Sequence, residues 1–184
     1  MMIKENRWKF IYAMFLVIPF LLNFIFIDKA IAKQVQVCDM GVYKFYNRAY
    51  KVNEMFKTGK NFDKLEHIGE MSENSPYDNY CTGFGEYGHA ALVTFYANKA
   101  GYVSKITIWG KKGDALAEKN IGISMGCILI SLGLDKNEFD YVADKLLSNG
   151  SSNVWAKKIN RRIVLEVYSV SNQVTATRIT AYDN

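Results

Sequence analysis

Histidine is almost absent from this chain. His67 and His89 are the only two, and they stand beside three cysteines, Cys38, Cys81 and Cys127, and two prolines. The histidines are not spaced as a ligand pair and no C-x-x-C occurs, so neither a metal nor another cofactor is expected. A strong excess of one charge is missing too. Of the formal +5, residues 1–32 carry +2, and the remaining +3 is too mild for a nucleic-acid partner, which would want a clustered basic face. There is no internal repeat and no low-complexity tract.

Two glycine motifs match in letters and fail in context. Gly83-Phe84-Gly85-Glu86-Tyr87-Gly88 fits G-x-G-x-x-G. A dinucleotide site needs a buried strand before it and a helix after it. Here a polar Pro76–Tyr80 segment precedes it, and Ala91–Phe95 after it alternates like a strand. Gly122-Ile123-Ser124-Met125-Gly126 fits the nucleophile elbow, but both histidines lie upstream of Ser124, and a triad needs one downstream. The motif sits inside a helical period, so small residues that let another element pack closely explain it better.

What the chain does have is an uncharged leader, Phe10 to Ile27. Lys4, Arg7 and Lys9 precede it, and Ala30-Ile31-Ala32 follows. Basic, apolar and small-x-small regions in that order are the parts of a secretory signal peptide. The same run would reach roughly 27 Å as a helix, enough for an uncleaved membrane anchor. In both cases residues 33–184 are expected to form one exported domain, periplasmic or secreted. Membrane contact is expected only through residues 10–27, if they stay attached. Val35-Gln36-Val37 before Cys38 lacks the small residue of a lipidation site.

An oxidising compartment favours pairing two of the three thiols. Cys127 lies in a strongly apolar stretch, so Cys38–Cys81 is the expected disulfide, with the other two pairings open.

Periodicity then sets the elements. Val42, Phe45, Tyr46, Ala49, Val52 and Phe56 mark a helix over 39–57, with Asp39 as N-cap and Gly59 as stop. Residues 58–88 read as an irregular loop with one short strand near 65–71. Two strands, 91–97 and 102–109, flank a turn at Asn98–Gly101. A core helix over 115–132 is capped by Asp114 and ended by Gly133. Asp135 and Glu138 make a capping box for a second helix ending at Gly150. Strands at 153–159, 162–169 and 173–181 complete an α+β domain. A single antiparallel sheet of about five strands is expected, with two or three helices on one face.

The candidate surface residues fall in two groups. Tyr77, Tyr80, Phe84 and Tyr87 place aromatics in the irregular loop, a composition suited to protein recognition. Lys157, Lys158, Arg161 and Arg162 bracket a hairpin tip, as a patch for an acidic partner would. Together they point to a small exported protein that binds another protein of the cell envelope, or an incoming toxin or enzyme. In size and export it is similar to inhibitors and toxin-neutralising immunity proteins, without a shared motif. The alternative is an exported hydrolase using His89 with Cys81, or with a carboxylate such as Glu86 or Asp78.

Overall fold

A computed structural model describes residues 33–70, 75–86 and 88–183. The leader with its cleavage or anchor reading, and Tyr87, lie outside the described residues. The elements are β1 (Gln34–Val35), α1 (Val42–Phe56), β2 (Glu66–Gly69), β3 (Asp78–Phe84), β4 (Ala91–Ala97), β5 (Val103–Lys111), α2 (Ala115–Leu132), α3 (Lys136–Asn149), β6 (Ser151–Ala156), β7 (Arg161–Ser169) and β8 (Val174–Tyr182). The class is α+β, as expected.

The sheet is larger than the sequence implied. Among the described residues it has eight strands, all antiparallel, seven of them in the order β2-β3-β4-β5-β8-β7-β6. β1 adds to β8 through Gln34–Tyr182 and Val35–Ala181. The main surprise is β3. Asp78-Asn79-Tyr80-Cys81-Thr82-Gly83-Phe84 has weak strand propensity, yet it pairs along its whole length with β4. Asn79, Thr82 and Phe84 are buried there. Backbone pairing on both sides and cover on both faces outweigh the local preference.

Alternation decides which side carries the core. Phe95 pairs with Ile106, Val93 with Ile108, Ile106 with Ile179, and Ile179 with Leu165. All of these side chains are buried. α1 reaches that face through Phe45, whose ring meets Phe95 edge-on at 6.0 Å. α2 lies over β4 and β5, where Gly110 leaves room for Ile121. α3 packs over β6, and its Phe139 sits against Gly126 of α2.

The helix ends mostly follow the expected chemistry. Asp114 accepts from the N–H groups of Leu116 and Ala117. The Asp135–Glu138 capping box is formed, and Gly133 and Gly150 close their helices at positive φ. α1 differs: its N-cap is Gly41 and its C-cap is Lys57 in the left-handed region. Asp39 instead accepts from Arg161 at 2.6 Å and from Gln36 at 2.9 Å.

The expected disulfide is not formed. Cys38, Cys81 and Cys127 are all free thiols. Cys38 is buried in the core, where burial pushes its thiol up to about 11. Cys81 sits on β3, its Sγ 3.5 Å from the Thr94 hydroxyl of β4. Cys127 is buried and likewise pushed up to about 11 by burial, which fits its expected role as a small hydrophobe.

Candidate functional site

The β2–β3 end of the sheet gathers the polar and aromatic groups that best form a site. Asp78 and Tyr80 are two residues apart on β3 and so share a face. The β2–β3 register sets His67 opposite Tyr80. His67 Nε2 lies 2.6 Å from Asp78 Oδ1, and the Tyr80 hydroxyl donates to Asp78 Oδ2 at 3.0 Å. The His67 and Tyr80 rings lie 4.7 Å apart with their planes tilted by 35°, and Tyr43 of α1 meets Tyr80 edge-on at 5.6 Å. Partial burial works to raise the Asp78 pKa, but the bonds from His67 and Tyr80 outweigh it and hold the carboxyl below its ordinary value. Burial, and then Asp78 itself, push the Tyr80 phenol up.

These groups open onto a cleft of about 520 Å³, lined also by Glu70, Tyr77 and Lys99. Tyr77 meets Tyr96 edge-on at 6.0 Å. Lys105 Nζ lies 3.8 Å from the Tyr96 centroid and 5.0 Å from that of Tyr77, a cation held between two rings. Burial, with Arg178 nearby, lowers the Lys105 pKa. Among the described residues no serine or cysteine lines this cleft. Among the described residues no cluster of His, Cys, Asp and Glu could hold a metal.

The other expected site residues are dispersed. Phe84 is fully buried, its ring tilted 60° to that of Phe62 at 4.7 Å, so it belongs to the core and not to a recognition surface. Tyr77 and Tyr80 border the cleft, but β3 is a strand, not the irregular loop the sequence implied. Arg161 is only 15% exposed and is spent on Asp39. Lys157, Lys158 and Arg162 are exposed. Strand order also separates the two groups. β3 and β7 are four strand spacings apart, roughly 19 Å, so the aromatic cleft and the basic hairpin do not form one surface.

His89 has a partner outside the expected set. Its Nδ1 lies 2.8 Å from Asp114 Oδ2, and its carbonyl accepts from Asn120 at 2.8 Å. The proposed catalytic partners are engaged elsewhere: Cys81 with Thr94, Asp78 with His67, and Glu86 with Lys60. His89 is a tie between the end of the β3–β4 connection and the start of α2.

Four carboxyls stand below their ordinary values and set a pH response; Glu86, lowered first by its bond from Lys60, is one of them. Asp39 is lowered first by Arg161 and then by Gln36. Asp114 is lowered first by the Ala117 N–H, with His89 adding to it. Asp78 is the fourth. A folded-state pKa below the unfolded value means that the unfolded chain binds more protons in this range. That stabilisation is therefore complete above the unfolded value and disappears as pH falls through the folded ones. Urea midpoints are expected to hold steady from neutrality downward and to drop below about pH 4. In His67→Ala the drop should be shallower, because Asp78 then titrates nearer its unfolded value. An equally steep drop in that variant would remove Asp78 from the account.

Comparisons with protein-family models, curated proteins and solved structures return no match.

Proposed function

We propose that this chain is an exported protein-binding domain of the cell envelope, with the β2–β3 cleft as its recognition surface. The observation that carries the reading is the convergence of Tyr77, Tyr80 and the His67–Asp78 pair around an open cleft at the end of the sheet. Rigid rings with a polar edge bury contact area at little entropic cost, which is why Tyr is enriched at binding hot spots. Ile68 of β2 is 55% exposed beside them. Among the described residues β2 stands last in the strand order, the kind of edge to which an extended partner segment adds a strand. A binding role is favoured over hydrolysis because, among the described residues, no serine or cysteine lines the cleft beside the His67–Asp78 pair. The envelope setting rests on the leader's pattern.

The test is retention of one envelope protein on the immobilised full-length chain, compared across variants. Tyr77→Ala and His67→Ala should each weaken the same partner at least tenfold, the size of a hot-spot truncation. Lys157→Ala with Lys158→Ala should leave that partner unchanged, since those residues lie near the far edge of the sheet. If cleft and hairpin variants retain it equally, the cleft is not the recognition surface.

A further inference from the structure

The helix layer carries a second concavity, unrelated to the cleft. α2 is long and apolar enough by composition to cross a membrane, yet only half of it is buried. Part of its outward side forms the floor of a groove of about 620 Å³ between the end of α1 and the start of α3. Phe56, Ile123, Ile130 and Phe139 form its walls. A Cβ at Gly122 would meet nothing within 4 Å, so the floor is open there. The volume falls within the range of small-molecule sites, which are mostly apolar with a few placed polar groups.

One end of this groove is charged. It shares Ile130, Leu134 and Asp135 with a neighbouring pocket of about 430 Å³, which Arg48, Lys157 and Lys158 border. The two carboxylates in that pocket are occupied by backbone groups. Asp135 accepts from the Glu138 N–H, and Glu138 accepts from the N–H groups of Asp135 and Lys157. Among the described residues, none of the three cations has an ion-pair partner. An apolar channel leading to unpaired cations is complementary to a molecule with one long apolar part and one anionic end.

We infer that the helix layer binds a long-chain carboxylate, its chain lying along α2 over Gly122 and its head at Arg48, Lys157 and Lys158. An amphipathic helix from a partner fits less well, because the charged lining, Asp135 and Lys136, lies at one end and the Thr58 hydroxyl is already bonded to Asn53. The inference does not rest on the role of the β2–β3 cleft.

Calorimetric titration of the full-length chain with hexadecanoate tests it, with hexadecanol, acetate and inorganic phosphate as parallel arms. Hexadecanoate should bind saturably, hexadecanol at least tenfold more weakly, and the two headgroup probes not at all. Arg48→Gln with Lys158→Gln should cost hexadecanoate at least tenfold and leave hexadecanol unchanged. Gly122→Leu, which fills open space and should keep the wild-type unfolding midpoint, should abolish both. Equal affinity for hexadecanol, phosphate binding alone, or no saturable binding would each overturn the assignment. So would self-association that Gly122→Leu disrupts without any carboxylate binding, since the groove would then be an interface between copies.

Discussion

Phe95→Ala is expected to lower the free energy of unfolding by about 3–5 kcal/mol. Phe95 is fully buried at the middle of β4, between Tyr80 of β3 and Ile106 of β5. Truncation removes the transfer energy of a ring and leaves a cavity as well. The cavity cannot close easily, because the hydrogen-bonded sheet forms one wall and α1 the other. Phe45 is the side chain that ties α1 to the sheet here, so Phe45→Ala should cost a similar amount. The double variant should show a coupling of about 0.5–1.5 kcal/mol, the edge-to-face part of the contact. Urea unfolding followed by circular dichroism measures all three. Leu92→Ala on the same strand is the control: Leu92 is 46% exposed on the opposite face and should shift stability by no more than about 0.5 kcal/mol. If Phe95→Ala falls in the same range as Leu92→Ala, α1 does not pack as described.

Elements whose signals are local were legible in the sequence. The Asp135–Glu138 capping box, the Asp114 cap and the glycine stops at 133 and 150 each act within one turn of helix, and they stand where the residue types put them. The turn at Asn98–Gly101, closed by a glycine at positive φ, is equally local. Signals that depend on a distant partner were not legible. Asp39 is a good cap by type, but Arg161 claims it from the start of β7. β3 has the composition of a loop and becomes a strand because β2 and β4 supply its hydrogen bonds. The site follows the same logic. His67 and Asp78 were visible as single residues, but their pairing comes from the β2–β3 register. The separation of the aromatic cleft from the basic hairpin comes from strand order, and no local pattern records that order. The pocket at Arg48, Lys157 and Lys158 brings α1 together with the β6–β7 turn, which a search along the chain does not join.

The second large effect concerns Gly85 of the Gly83–Gly88 motif. Gly85→Ala is expected to cost about 2–5 kcal/mol, from two separable causes. Gly85 has φ +110, a conformation that a side chain strains. A Cβ there would also stand 2.2 Å from Asn120 Nδ2. Asn120 is 3% exposed and donates that nitrogen to the His89 carbonyl at 2.8 Å, so it cannot move aside without giving up the bond. Removing the amide should relieve one cause and leave the other. Asn120→Ala in the Gly85→Ala background should therefore cost less than the two single exchanges added together, by about 1–2 kcal/mol. Thermal or urea unfolding of the four proteins of the cycle gives that number. Additive losses would mean that the clash with Asn120 contributes nothing and backbone strain carries the whole effect. An unfolding midpoint for Gly85→Ala within error of the wild type would mean that the connection after β3 does not take this path.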